Sequence, residues 1–162
     1  LRVSQFDLPS AFVQNLLPRS ATGGKQVVMK LQHNLPHRLA GQWVELLGAI
    51  YGLPMSNNIF WRDFDKTMAK AQLFPIQLPD QPCLSTPIDN HIYSRFDPLD
   101  PNRKLIVAVT VDDGLMFGQD ALEFEMELIS VLKERYGDNI TYKEETKEFC
   151  GSRFTRAPHG AI

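Results

Sequence analysis

Two adjacent carboxylates, Asp112 and Asp113, sit in the middle of the stretch Leu105 to Gly118, Leu-Ile-Val-Ala-Val-Thr-Val-Asp-Asp-Gly-Leu-Met-Phe-Gly. β-Prone residues lead up to the pair and a short apolar run follows Gly114, the pattern of two strands joined by an acidic hairpin tip. Strand alternation sets Asp112 on the side of Thr110 and Ala108, while Val107, Val109 and Val111 line the other, core-facing side. Carboxylate oxygens at the end of so apolar a strand suit a hard divalent cation, held where a larger ligand approaches. The same residues admit a plainer reading, because Asp-Gly is also a common hairpin turn pair.

The rest of the chain must position that tip. Its 162 residues, 43% hydrophobic and 22% charged, predict one soluble domain with a real core rather than a disordered segment. Neither a membrane-length apolar run nor a basic-then-apolar leader is visible, so the expectation is an intracellular, cytoplasmic protein with no membrane partner. A net charge of −2 argues against a protein that grips nucleic acid unaided, since such proteins carry a basic surface. Cys83 and Cys150 lie far apart without metal-spaced neighbours and read as reduced, buried thiols. His33, His37, His91 and His159 are scattered, with surface or loop positions expected for each.

Leu1 to Leu8 reads as a strand that opens at the first residue, as an excised piece would. Ser10 to Leu17 predicts about two helical turns between Pro9 and Pro18. Gly23-Gly24 marks a loop, and Gln26 to Leu31 a strand ended by Asn34-Leu-Pro36. Trp43 to Leu47 is a short strand or the start of a helix, and periodicity over so few residues does not decide. After a bend at Gly52 and Pro54, the spacing of Ile59, Phe60, Phe64, Thr67, Met68 and Ala71 predicts a core-facing helix to about Gln72. Leu73 to Pro87 reads as irregular, His91 to Phe96 as a strand, and Asp97 to Asn102 as a turn. Gln119 to Tyr136 is the clearest helix, with Leu122, Met126, Ile129 and Leu132 as its apolar stripe, glutamates opposite, and Gly137 as its stop. Ile140 to Lys143 and Glu148 to Phe154 close the pattern as strands, before a frayed tail over 157–162. The fold class expected is α+β, an antiparallel sheet with helices packed on one face.

Five segments then carry a resemblance: Phe6 to Phe12 (Phe-Asp-Leu-Pro-Ser-Ala-Phe), Ile50 to Trp61, Asp80 to Leu84 (Asp-Gln-Pro-Cys-Leu), Val109 to Gly118, and Glu148 to Gly151 (Glu-Phe-Cys-Gly). Their order and spacing resemble the reverse transcriptase of copia-type retrotransposons. The resemblance implies a polymerase palm over 1–156, with a remnant of the fingers, and an RNA-directed DNA polymerase activity. It implies that Asp7, Asp112 and Asp113 bind two Mg2+ ions, or Mn2+ in their place, with Asp7 and Asp112 as the main ligands and Asp113 nearer the periphery. It further implies that Phe12 is an aromatic gate beneath the sugar of the incoming deoxynucleotide. Tyr51 and Gly52 match the segment against nucleotide and template base, and Phe149 to Gly151 the approach to the primer grip. The implied partners are an RNA template, a DNA primer, dNTPs, and the remaining fingers, thumb and RNase H regions of a polyprotein, within the family's virus-like particle.

Three departures stand beside these matches. Thr110 replaces the usual tyrosine that seats the primer end, and threonine does not stack. Pro54-Met55 stands in place of Lys-Gln, and the thioether of Met55 lacks the hydrogen bonds of a glutamine amide. Asn57-Asn58 replaces Pro-Arg and removes a positive charge. Together with the missing fingers and thumb, they lead to the expectation of weak or no activity in the isolated piece. The alternative they favour is a degenerate or domesticated palm acting as a binding or scaffold module.

Overall fold

The structure is a computed structural model that describes residues 1–33, 38, 40–76 and 91–153. In chain order its elements are β1 (Arg2–Asp7), a 3-10 turn (Arg19–Thr22), β2 (Val28–Lys30), β3 (Trp43–Glu45), α1 (Pro54–Lys70), β4 (Phe74–Pro75), β5 (Ile92–Phe96), β6 (Lys104–Thr110), β7 (Asp113–Gln119), α2 (Leu122–Tyr136), β8 (Thr141–Lys143), β9 (Glu148–Phe149) and β10 (Ser152–Arg153). They divide between two compact units, one of Leu1–Pro9 with the described residues from Asp65 onward, the other of Ser10–Phe64. The fold is α+β, as the alternation of apolar patterns predicts.

The first unit is built on a six-stranded sheet in the order β4-β5-β6-β7-β1-β8. Every neighbouring pair is antiparallel. Residues in register share a face, so the row Tyr93, Val107, Met116 and Ser4 runs across four strands on one side. All four are buried. Tyr93 donates its hydroxyl to Asp65 of α1 at 2.7 Å. Ser4 donates to Glu125 of α2 at 2.7 Å. Within this unit, one face of the sheet therefore carries α2 and the end of α1 from Asp65 onward. The next row, Ser94, Ile106, Phe117 and Val3, lies on the opposite face and is only half-buried.

Helix α1 begins at Pro54, earlier than the apolar spacing alone indicates, because proline at a first helical position presets φ and sacrifices no hydrogen bond. Phe60, Phe64, Thr67, Met68 and Ala71 are all buried, the stripe read from the sequence. The stripe of α2 differs. Leu122 and Met126 are 49% and 48% exposed, and Phe124, Glu125, Leu128, Ile129, Leu132 and Tyr136 face inward instead. Phe124 lies under two guanidinium groups, those of Arg95 and Arg103, 4.0 and 4.6 Å from its ring centre. The strand β7 also runs through Gln119, so α2 starts later than the expected Gln119. Gly137 ends it as expected, with φ +91° and its N–H donated to Lys133.

Glu125 is fully buried although it was expected on the solvent side with the other glutamates. Its Oε2 accepts hydrogen bonds from Ser4 (2.7 Å) and from the Tyr142 hydroxyl (2.9 Å), and Arg2 Nε stands 3.5 Å away. Arg2 also bonds the Tyr142 oxygen and the Glu144 carboxylate, each at 3.0 Å. A buried carboxylate persists when donors satisfy it. Here β1 and β8 supply donors to Oε2 from positions more than a dozen residues away, which helix periodicity cannot register, while Oε1 is buried without a hydrogen bond. Burial, followed by the bond to and charge of Glu125, raises the Tyr142 phenol pKa against the opposing influence of Arg2.

The second unit, Ser10–Phe64, holds the paired strands β2 and β3, with Val28 opposite Glu45 and Lys30 opposite Trp43. Trp43 to Glu45 is thus strand, not helix. The helical turns expected over Ser10 to Leu17 are absent: isolated turns close from Val13 to Ser10 and from Asn15 to Phe12. Leu16 then bridges to Gly48 in extended pairing. So short a segment between two prolines cannot recover the cost of helix nucleation; instead the Leu17 N–H donates to the Leu47 carbonyl and the Ala49 N–H to the Asn15 carbonyl.

Near the C-terminus the single strand expected from Glu148 is a small hairpin, β9 against β10, turning at Cys150 and Gly151 with φ of +47° and +75°. Cys150 is exposed rather than buried, because the turn carries it outward. Cys83, the Asp80 to Leu84 segment, Asn34 to Pro36, most of the irregular stretch before Pro87, Phe154, His37, His159 and the tail all lie outside the described residues. No helix of the described residues is long and apolar enough to cross a membrane.

Candidate active site

The carboxylates come together through strand register. β1 lies between β7 and β8, with Asp7 opposite both Asp113 and Thr141. Thr110, the last residue of β6, is opposite Asp113 from the other side. This row has the opposite parity to Ser4, Met116 and Val107, so Asp7, Asp113 and Thr110 belong to the face away from the helices. Directly paired residues of neighbouring antiparallel strands have Cα atoms about 4.5–5.5 Å apart.

The turn itself is Val111 and Asp112, one residue pair earlier than an Asp-Gly turn would be. Val111 takes φ +56°, unusual for a β-branched residue, and is 38% exposed. It therefore does not line the core with Val107 and Val109 as alternation predicts, because the strand ends at Thr110. Gly114 belongs to β7. Beyond Asp7 the chain remains tied to the tip, since the Leu8 N–H donates to the Asp112 carbonyl at 2.8 Å.

The electrostatics of the tip centre on Asp113. Partial desolvation, then the charge of Asp7, then that of Asp112 all raise its pKa, although the residue as a whole is exposed. A carboxyl held above its ordinary value of about 3.9 binds its proton more tightly folded than unfolded. Its contribution to stability is then unfavourable above the folded pKa and vanishes below the unfolded one, so stability falls as pH rises through that interval. Asp113→Asn is accordingly expected to melt slightly higher than the unmodified chain at pH 7, by about a few tenths of a kcal/mol after solvent screening. The difference should close in melts near pH 3; a persistent or inverted difference would contradict the assigned repulsion.

As a donor set, these residues fit a hard divalent cation: they are carboxylate oxygens, and the charges of Asp7 and Asp112 raise the proton affinity of Asp113, which an added positive charge reverses. Among the described residues, no three His, Cys, Asp or Glu side chains are gathered closely enough to form a ready metal cage.

The remaining candidates lie in the second unit, Ser10–Phe64. Phe12 is 6% exposed and stacked between Tyr51 and Phe60, with ring centres 4.9 and 4.6 Å apart. Tyr51 is 60% exposed. Gly52 has φ +90° and open space where a side chain would stand, so backbone conformation rather than crowding favours glycine. The loop is closed by the Ile50 N–H donating to the buried Ser56 hydroxyl at 3.2 Å. Met55 is half-buried in the first turn of α1, and Asn57 accepts a bond from the Trp61 indole at 2.9 Å.

Lys143 was not singled out in the sequence. It pairs with Gln5, two residues before Asp7 on the same face, and is exposed. Its charge belongs to the aspartate face only once β8 is registered against β1, and no local pattern signals that. Comparison with protein-family models, curated proteins and solved structures gives no match for this chain.

Proposed function

We propose that this chain is the palm portion of an RNA-directed DNA polymerase of the copia retrotransposon type, adding deoxynucleotides to a primer 3′-hydroxyl. The observation that carries the reading is the register of Asp7 against Asp113 on the sheet face away from α2, with Asp112 in the turn that precedes Asp113. Carboxylates paired across two strands distant in sequence, with a third in the adjoining turn, repel one another without a cation and become useful with one.

Asp7, Asp112 and Asp113 would hold Mg2+, with Mn2+ able to substitute. When bound, the ions supply charge stabilisation to the attacking 3′-oxygen and the departing pyrophosphate. The protein's own contribution is positional: β1 and β7 fix two carboxylates as direct neighbours, and the Leu8 to Asp112 bond fixes the turn. Lys143 gives the same face a positive charge suited to a phosphate. The resemblance assigns selection against the ribonucleotide 2′-hydroxyl to Phe12, and nucleotide contacts to Tyr51, Gly52 and Met55. RNA template, DNA primer and the remaining polyprotein regions are the partners, in the cytoplasm and its virus-like particles.

The test is primer extension on an RNA template with dNTPs and Mg2+. Such extension as the isolated chain supports is expected to be weak, to require Mg2+ and to disappear in Asp112→Asn; extension surviving in that variant overturns the site. A second reading, a non-catalytic palm serving as a binding module, is favoured by Thr110 in place of an aromatic ring and by Asn57 spending its side chain on Trp61. Tight RNA–DNA binding with neither metal affinity nor extension would select it.

A further inference from the structure

Gly114 occupies an ordinary strand position, without the positive φ that Gly52 and Gly137 adopt. Space explains it instead. A Cβ built on Gly114 would collide with the end of the Phe6 ring, which is 1% exposed. Phe6 and Gly114 are directly opposed, one step along the register from Asp7 and Asp113. Glycine in a strand marks a close approach by another group, and here that group is the ring of the neighbouring strand.

We propose that Phe6 and Gly114 are positioning residues that set how Asp7 stands against Asp113, and thereby the affinity of the carboxylates for a divalent cation; the inference rests on the function proposed above. The ring and the glycine lie on the helix side of the sheet and the carboxylates on the other, so Phe6 acts through the backbone and touches no ligand. Asp7 is held from both directions: the ring seated over Gly114 precedes it, and the Leu8 to Asp112 bond follows it. Added volume at Gly114 must tilt the ring or part the strands at the pair that bears the carboxylates. Ligating groups tolerate only about 0.5 Å of such displacement.

The test uses Mn2+ alone as probe, with free Mn2+ followed by electron paramagnetic resonance in titrations of the whole chain. Melting curves are recorded for every variant. Gly114→Ala is expected to weaken Mn2+ binding by about 10–100-fold, the range typical of groups that orient metal ligands. Phe6→Leu, which leaves the glycine notch unfilled, is expected to weaken it as well, and decides the matter if Gly114→Ala does not fold. The double variant should lose less than the two losses combined, because a smaller side chain makes room for the new methyl. Lower melting temperatures with Mn2+ affinity unchanged in both single variants would overturn the proposal and leave a packing role alone. If the unmodified chain and Asp7→Asn bind Mn2+ alike, or neither binds, the polymerase reading itself fails and the positioning role with it. Loss in Asp7→Asn but not in Gly114→Ala or Phe6→Leu rejects only the positioning role.

Discussion

Asp7→Asn is expected to reduce Mg2+-dependent primer extension at least about a hundredfold while leaving the melting temperature unchanged or slightly raised. The two halves of this expectation come from the same geometry. Asp7 stands directly opposite Asp113, and its charge helps raise the proton affinity of that neighbour. An asparagine preserves the shape of the strand end and relieves the repulsion, so the fold loses nothing. The carboxylate's interaction with a cation is lost, and metal stabilisation of a transition state is worth several kcal/mol, with each 1.36 kcal/mol a factor of ten in rate. Activity and stability thus move in opposite directions or not together, which a variant that merely unfolds does not do. Extension rates across a Mg2+ series, paired with thermal melts, make the comparison; full activity in Asp7→Asn would remove β1 from the site.

The largest expected effect on stability lies on the other face. Glu125→Ala is expected to destabilise the fold by about 3–5 kcal/mol, the cost of removing one partner from a buried charged group. Ser4 and Tyr142 donate to Glu125 Oε2, and the Arg2 guanidinium forms an ion pair with the same oxygen at 3.5 Å. Their loss of a common acceptor leaves polar groups in the interior at the junction of β1, β8 and α2. Since whole domains are stable by only about 5–15 kcal/mol, the variant should unfold at a much lower urea midpoint. Tyr142→Phe, which deletes a donor and keeps the carboxylate's other partners, should lose only about 1 kcal/mol. Equal midpoints for Glu125→Ala and the unmodified chain would show that the network does not hold these elements together.

Local signals account for much of what the sequence revealed. The β6–β7 hairpin, the buried stripe of α1 and the glycine stop of α2 depend on neighbours within a turn or a strand, and each is visible in spacing. Pairing of β1 with β7 brings Asp7 beside the hairpin. Register remained hidden because it is set by pairing across the chain. It decides that the turn falls on Val111 and Asp112, that Gly114 serves the Phe6 ring rather than the turn, and that Lys143 shares a face with Asp7. Glu125 escaped for a related reason: a glutamate in an amphipathic helix looks solvent-facing until its donors arrive from β1 and β8. Phe12 shows the converse, since a stacked position between Tyr51 and Phe60 satisfies it as packing whatever further role it has.

Among the described residues, the outermost strands of the main sheet, β4 and β8, contain only two and three residues. Rims this brief offer an incoming extended chain few free backbone donors and acceptors to zip onto. Self-association through sheet continuation is thereby blunted at both sides, a protection that natural sheets commonly achieve by truncating their borders. Concentrated samples should accordingly resist fibril growth from these borders, and lengthening either one would be the change that invites it.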